Sequence, residues 1–125
     1  RVMAKRYVHT CIRVLDPGHA EVEIPDCRGN RQHLRSIHAI ALVNVAEQAS
    51  GLALLTALPE GVRGIVTSIS MQYFRKARGT IRAVSQVVPP AVTGDLEFDV
   101  TADCMDRHGA LVARATVRWR LGRER

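Results

Sequence analysis

The sequence predicts an α+β fold in which one antiparallel sheet wraps a single long helix. The segment 36–55, SIHAIALVNVAEQASGLALL, is apolar around nearly its whole helical circumference, which is typical of a helix enclosed by other structure. The segments 96–104 and 111–121 alternate apolar with polar residues, which is typical of strands in a sheet with one solvated face. The chain has 125 residues, enough for one core, so we expect a single domain over residues 1–125.

Two short strands are predicted at the start of the chain. Residues 7–15 are rich in β-branched and aromatic side chains, residues 16–18 (DPG) have turn chemistry, and residues 20–24 form the second strand. Residues 25–35 are polar and show no periodicity, which predicts a loop. Ser36 is then the expected N-cap of the helix.

The helix is predicted over residues 38–57, and it is expected to end before Pro59, Gly61 and Gly64. Its apolar circumference is interrupted by one narrow stripe of polar or small residues at helical spacing, which comprises Asn44, Glu47, Gln48 and Gly51. A glycine inside a helix costs about 0.5–1 kcal/mol relative to alanine and is usually kept for a close approach. We therefore expect another part of the molecule or a ligand to pack tightly at Gly51.

The remainder of the chain is predicted to form about four antiparallel strands. Residues 65–74 and 80–88 are the first two, joined by the basic segment 75–79, and a β-hairpin follows over residues 96–121. One small sheet around one helix leaves its other face or its edges exposed, and pairing of two copies would cover them. The expected assembly is a homodimer.

Composition narrows the classes of function. The contents of charged residues (24%) and hydrophobic residues (46%) are those of a soluble globular protein, and the polar residues inside the helix argue against a bilayer-spanning segment. The net charge of +6 implies attraction to polyanions such as nucleic acid, anionic lipid or the phosphates of coenzyme A. A nucleic-acid-binding domain is disfavoured because aromatic residues make up 4% of the chain and Trp119 is on the apolar side of its strand.

The cysteines and histidines do not indicate a metal site. Cys11, Cys27 and Cys104 are widely spaced and odd in number, which indicates neither a disulfide framework nor a zinc site. The five histidines contain no pair at metal-ligand spacing, so we assign no metal. The cysteine usage fits a reducing cytoplasm.

Glu47 is the residue that most needs an explanation, because an ionised carboxylate in an apolar helix is costly without a partner. In one interpretation it is a satisfied structural group that reaches a solvated groove or pairs with an arginine of a second protomer. In the other it faces a cleft and acts as a nucleophile or general base. The residues alone leave both interpretations open.

The predicted start of the helix is the second candidate element. His38 lies at this predicted start, where a histidine ordinarily caps the helix or packs against neighbouring residues. The N–H groups of Ala39 and Ile40 are expected in the first turn, unpaired and at the positive end of the helix dipole. Such groups suit a carbonyl oxygen that acquires negative charge.

These features resemble a known family. The helix opens His38-Ala39-Ile40 after a loop, Glu47 follows nine residues after the histidine, and the segment 70–76 (SMQYFRK) precedes a Gly-Thr pair. In this the chain resembles the hotdog-fold thioesterases, and in particular the phenylacetate-pathway (PaaI-like) branch and its uncharacterised relatives with a His-Ala helix start. In that family the helix opens His-Gly-Gly, an Asp or Glu stands at the position of Glu47, and a strand ends in Phe-Leu-Arg-Pro before a Gly-Asp-Thr restart. The similarity covers roughly residues 11–121.

The resemblance implies a hotdog fold, dimers that often pair into tetramers, and hydrolysis of an acyl-coenzyme A thioester at the dimer interface. Glu47 would attack the thioester carbonyl or activate water. The N–H groups of Ala39 and Ile40 would hold the oxyanion, in a more crowded setting than the family's paired glycines. His38 would orient the thioester or the helix start.

Further site residues follow from the same resemblance. Gln32 matches the family's loop asparagine six residues before the histidine, and Asn30 is nearby. We assign substrate binding to Asn30, Asn44, Gly51, Arg75, Lys76 and Arg78. The basic cluster, which also includes Arg82, is either a solvated turn or a site for the phosphates of coenzyme A.

Two alternatives keep this fold. One is a non-catalytic module that binds an acyl chain or acyl-coenzyme A without turnover. The other is a hotdog dehydratase or hydratase, for which the sequence carries no His-Phe-Pro-like signature. In the leading hypothesis no cofactor is needed, and coenzyme A enters only as part of the substrate.

Overall fold

The computed structural model describes residues 10–25, 34–77 and 79–123, and for residues 34–38 it describes the backbone only. One helix and six strands are present in these ranges. In chain order they are β1 (Cys11–Asp16), β2 (His19–Ile24), α1 (Leu34–Ala57), β3 (Val62–Tyr73), β4 (Ile81–Gln86), β5 (Leu96–Met105) and β6 (Leu111–Arg123). This is the predicted order of two strands, one helix and four strands.

The six strands form one antiparallel sheet in the order β1-β2-β4-β5-β6-β3. The inner face of the sheet packs on α1, so the helix occupies the core as predicted. The strand β3 is an edge strand, and its second edge has no partner among the described residues. The predicted hairpin is confirmed by the β5–β6 register, in which Phe98 is opposite Trp119.

The first turn is fixed by local chemistry and by its neighbours. Gly18 has a φ of +84°, which L side chains rarely adopt, and a Cβ there would be 2.6 Å from the Val87 carbonyl oxygen. The Gly18 carbonyl accepts a hydrogen bond from the Val87 N–H at 2.7 Å, and the Thr56 hydroxyl contacts the Gly18 N–H at 3.3 Å. The turn therefore ties the β1–β2 hairpin to the last turn of the helix.

The helix begins at Leu34 and not near His38, so the prediction of a loop up to Arg35 with an N-cap at Ser36 is wrong. Leu34 and Arg35 have good helix propensity, and no proline or glycine separates them from the apolar segment, so another turn forms. The predicted end at Ala57 is confirmed. Gly64 lies within β3 and has no part in ending the helix.

One face of the helix is not covered by the sheet. The prediction of an almost completely enclosed helix is therefore only partly correct, because Ile40 is 58% exposed and Leu55 is 49% exposed. The segment Ala39–Ala57 is long and apolar enough to cross a membrane, with a mean hydropathy of 1.4. Half of it is buried inside the fold, and its apolar character is explained by the core that it forms with the sheet.

The outer face of the sheet carries a ladder of cross-strand ion pairs. The distances between arginine nitrogen and aspartate oxygen are 2.7 Å for Arg114–Asp103, 2.9 Å for Arg118–Asp99 and 3.2 Å for Arg120–Asp95. The alternation that buries Ala115, Val117 and Trp119 places these arginines on the opposite face.

Candidate active site

The carboxylate of Glu47 is half-buried on the uncovered face of α1. Its side chain has no hydrogen bond and no ion pair with any residue that the structure describes. The Ser50 hydroxyl, 2.9 Å away, bonds only to the backbone carbonyl of Glu47. The carboxylate oxygens are not among the buried polar atoms without a partner, so they reach solvent and are available to a ligand or to a second protomer.

A groove of about 250 Å³ lies along α1, one turn closer to the start of the helix than Glu47. It is lined by Ala39, Ile40, Val43, Asn44 and Tyr73. The Tyr73 hydroxyl donates to the carbonyl oxygen of Ala39 at 3.5 Å and so brings the aromatic ring against the helix. The groove is therefore largely apolar, with the amide of Asn44 as its principal polar side chain.

Helical spacing brings three of the predicted residues together. Ile40, Asn44 and Glu47 lie four and three residues apart on one face of α1. Asn44 is half-buried, and its side-chain amide makes no hydrogen bond within the described chain. The structure thus places Ile40 and Asn44 in the groove, and Glu47 one turn beyond it.

Gly51 also follows this spacing, but it faces the interior. The predicted close neighbour is confirmed and is the indole of Trp119, because a Cβ on Gly51 would be 3.4 Å from two carbons of that ring. Packing inside the chain accounts for the glycine, so the structure gives it no contact with the groove.

The expectation of free N–H groups at Ala39 and Ile40 needs correction. Because the helix begins at Leu34, these two residues are in the second turn, where the carbonyl groups one turn earlier are the partners of their N–H groups. The unpaired N–H groups of a helix are the first four, which lie upstream of Ala39. The side chain of Ile40 extends into the groove from this turn.

Four other predicted site residues have side chains that lie outside the described part of the structure. Asn30, Gln32 and Arg78 lie outside the described residues. His38 is in the helix, and its side chain is outside the description. Their assignments stay predictions.

The basic cluster is divided by the structure. Arg75 and Lys76 lie just beyond the end of β3 and are exposed. Their side chains have no hydrogen bond or ion pair with described residues. Arg82 is on the outer face of β4, where its guanidinium bonds to Glu21 at 2.9 Å and to Glu23 at 3.0 Å. Its inclusion with the residues that could meet phosphates is wrong, because two carboxylates already neutralise it.

The pKa values in this outer-face network follow from its hydrogen bonds. The bond from Arg82 holds the pKa of Glu23 below its usual value, and the bond from His19 does the same for Glu21. The two glutamates in turn raise the pKa of Arg82, with Glu23 as the larger cause. This cluster is a structural network on the face of the sheet away from Glu47.

Val43 is a groove residue that was not among the predicted site residues, and Tyr73 lines the same groove. Val43 is four residues before Glu47, so helical spacing alone could have found it. Tyr73 is an exposed aromatic residue at the end of an edge strand, and only the fold shows that this end lies beside the helix. Within the described ranges no three histidine, cysteine or acidic side chains lie close enough to hold a metal ion.

Comparison with solved structures identifies the fold. A Pseudomonas aeruginosa protein described as a "Probable Thioesterase" is 24% identical, with a TM-score of 0.84 over 99% of this chain and 89% of that chain. The structural-genomics protein APC5556 is 30% identical, with a TM-score of 0.81 over 97% and 83% of the two chains. The Haemophilus influenzae thioesterase HI1161 is 15% identical, with a TM-score of 0.73 over 96% and 82%.

The likeness extends over almost the entire chain, so the predicted hotdog fold is confirmed. The chain belongs to the DUF4442 family, a domain of unknown function, whose family model matches residues 6–121. No curated protein matches the sequence. The narrower assignment to the PaaI-like branch stays a prediction.

Proposed function

We propose that this protein is a thioesterase that hydrolyses an acyl-coenzyme A, with Glu47 as the reacting carboxylate. The observation that carries the proposal is the half-buried Glu47 side chain, which has no partner within the described chain and lies one helical turn beyond Asn44 of an apolar groove. The hotdog fold and the descriptions of the Pseudomonas and Haemophilus proteins as thioesterases support it.

Glu47 can serve in either of two reactions. As a general base it takes a proton from water while the oxygen attacks the thioester carbonyl, the C–S bond breaks, and the proton goes to the departing thiolate. As a nucleophile it forms an anhydride with the acyl group and expels the thiolate, and water then cleaves the anhydride. A single turnover in ¹⁸O-water distinguishes the two, since the label enters the released acid in the first case and can enter Glu47 in the second.

The site is proposed to be completed by a second copy of the chain. The unpaired edge of β3 and the uncovered face of α1 are adjacent, and both carry exposed apolar side chains such as Ile65 and Leu55. An exposed edge strand beside an apolar patch favours pairing with another chain. A homodimer formed there would cover the groove and exclude water from Glu47, and two dimers would pair into a tetramer in the cytoplasm.

The decisive experiment measures thiol release from a panel of acyl-coenzyme A substrates with a thiol-trapping dye. We expect hydrolysis by the wild type and a loss of about 10²–10⁴-fold in kcat for Glu47→Gln, which keeps the shape of the side chain and removes its basicity. Glu60→Gln is the matched control, because Glu60 is an exposed glutamate just after the helix. Undiminished release from Glu47→Gln would exclude the proposed role.

A non-catalytic acyl-coenzyme A module is the second candidate, and one observation favours it. The N–H groups of Ala39 and Ile40 have helical partners, so the oxyanion donors suggested by the resemblance are not free at those positions. This candidate predicts saturable binding of acyl-coenzyme A in calorimetry, with no thiol release at any chain length.

A further inference from the structure

The side chain of Asn44 has unused hydrogen-bonding capacity in the groove. It is half-buried, and neither its carbonyl oxygen nor its NH₂ group has a partner in the described part of the chain. A carboxamide offers an acceptor and two donors, and those of Asn44 reach solvent in the groove, where a ligand can take the place of water. The complementary partner is a group that itself has one N–H and one C=O, which is a secondary amide.

The spacing between Asn44 and Glu47 matches a specific part of a coenzyme A thioester. Three residues rise about 4.5 Å along a helix, and Cβ atoms at this spacing are about 5–6 Å apart. In a coenzyme A thioester, a sulfur and two methylene groups separate the reacting carbonyl carbon from the first amide nitrogen. Those four bonds span about 5 Å when extended, since three bonds of an extended backbone span about 3.5 Å.

We propose that Asn44 is a positioning residue that binds the cysteamine amide of the pantetheine arm when the thioester carbonyl is at Glu47. This inference rests on the proposed function. The arm then continues over Ile40 and Val43 toward Tyr73, where the apolar lining suits its methylene and methyl groups. The acyl chain leaves Glu47 in the other direction, toward Leu55.

Charge supports this direction along the helix. Arg75 and Lys76 follow Tyr73 at the groove's far end and are exposed cations, as the phosphates of coenzyme A require. The opposite direction would bring the phosphates to the C-terminal end of α1, where the helix dipole is negative and Glu60 is exposed. The acyl chain would then lie beside two cations.

Three thioesters of one acyl group test the role of Asn44. They are the coenzyme A thioester, the N-acetylcysteamine thioester, which keeps only the first amide, and the ethyl thioester, which has no amide. For Asn44→Ala we expect kcat/KM to fall about 10-fold for the first two and to stay within about twofold for the third, as the loss of one hydrogen bond predicts. Gln86→Ala is the matched control, because Gln86 is an exposed amide on the outer face of β4.

An equal loss for all three thioesters would overturn the inference and leave the proposed function intact. If the wild type hydrolyses none of them, the proposed function fails, and the inference is judged by calorimetry of acyl-coenzyme A with wild type and Asn44→Ala. Binding that is about 10-fold weaker in the variant supports the inference, and equal binding or its absence overturns it.

The direction of the arm is tested by charge reversal. Lys76→Glu is expected to raise KM for the coenzyme A thioester severalfold without changing KM for the N-acetylcysteamine thioester, which has no phosphates. Arg63→Glu is the control, because Arg63 is exposed near the other end of β3. An unchanged KM in Lys76→Glu, or an equal effect of Arg63→Glu, would refute the proposed direction.

Discussion

The indole ring of Trp119 occupies the space that a side chain at Gly51 would need. A Cβ on Gly51 would be 3.4 Å from Cη2 and Cζ2 of the ring. On β3, a Cβ on Gly64 would be 3.2 Å from Cε3 of the same ring and 3.1 Å from a methyl carbon of Leu121. Two glycines therefore allow α1 and β3 to pack closely against a tryptophan that is only 6% exposed.

These distances predict opposite effects of the same substitution at the two glycines. Gly51→Ala should be neutral or stabilising by up to about 1 kcal/mol, because alanine favours the helix and 3.4 Å is an ordinary contact. Gly64→Ala should destabilise the fold by about 1–3 kcal/mol, because the new Cβ would be 3.1–3.2 Å from Leu121 and Trp119 and these side chains must shift. Urea unfolding followed by the fluorescence of Trp119, the single tryptophan, measures both.

Gly51→Leu is the control for the geometry at the helix. Its larger side chain cannot avoid the ring, so it should destabilise where alanine does not. If Gly51→Ala and Gly64→Ala had the same effect, the packing described for Trp119 would be incorrect.

Glu47 is expected to contribute to activity at the expense of stability. The Glu47 carboxylate has no hydrogen bond or ion pair within the described chain that glutamine would break, so Glu47→Gln should unfold at the same or a higher urea concentration while thiol release falls. Glu60→Gln should change neither quantity. A large destabilisation by Glu47→Gln would instead indicate a structural partner for the carboxylate.

Leu55 lies on the uncovered helix face close to β3 and should contribute to the interface of the proposed homodimer. Introducing a charge into an apolar interface is costly, so Leu55→Glu should weaken dimerisation by at least about 10-fold. Sedimentation velocity over a concentration series measures this. Val88→Glu is the control, because Val88 is 89% exposed between β4 and β5, away from that face. If Leu55→Glu dimerises like the wild type, the interface does not include this face of the helix.

The Arg82 network predicts a pH-dependent stability. Arg82 lowers the pKa of Glu23 in the folded protein. The ion pair therefore stabilises the fold fully above the unfolded pKa of glutamate, about 4.3, and this stabilisation is lost as the pH falls through the lower pKa of the folded protein. Arg82→Met should therefore cost about 1 kcal/mol at pH 7, since the guanidinium is partly exposed and screened. At a pH well below the lowered pKa of Glu23, where the carboxylate is protonated in both states, the variant and the wild type should converge.

Urea unfolding at several pH values tests this, with Arg107→Met as the control. Arg107 is an exposed arginine in the β5–β6 turn with no carboxylate partner in the described chain. A difference between Arg82→Met and wild type that persists at acid pH would mean that the arginine acts through packing and not through Glu21 and Glu23.

Cys104 should be chemically inert in the folded protein. Burial raises the pKa of its thiol to about 12, so almost no thiolate is present at pH 8. Alkylation followed by peptide mapping should label Cys104 only after urea is added. Cys11, which is half-buried on the edge strand β1, should be labelled in the native state. Native labelling of Cys104 would show that the β4–β5 region opens readily.

Much of the fold could be predicted because its elements have strong local periodicity. The β5–β6 hairpin follows from strict alternation, and the end of α1 follows from Pro59 and the glycine after it. The close approach at Gly51 was also predictable, since glycine is costly in a helix. The sequence did not reveal that the close neighbour is Trp119, because that contact joins elements far apart in the chain.

The remaining differences between the prediction and the structure arise where tertiary contacts determine the local structure. The helix start was misplaced because Ser36 has the chemistry of a cap, although nothing upstream prevents another turn. Arg82 was grouped with its neighbours in sequence, whereas the sheet pairs it with Glu21 and Glu23 of β2. The uncovered face of α1 carries exposed apolar side chains such as Ile40 and Leu55 beside Asn44 and Glu47, so the polar stripe indicated only part of it.

The ion-pair ladder has a consequence for how a ligand meets the protein. Because the arginines of β6 are matched by aspartates, the outer face of the sheet presents no continuous positive track. In the described chain both ends of the strands carry mixed charges: Arg75, Lys76 and Arg107 lie with Asp106 at one end, and Asp16, Glu60 and Glu97 lie with Arg63 and Arg123 at the other. An anion near Tyr73 is therefore attracted by the local charges of Arg75 and Lys76 and not by a dipole of the whole sheet, and this attraction weakens as ionic strength rises.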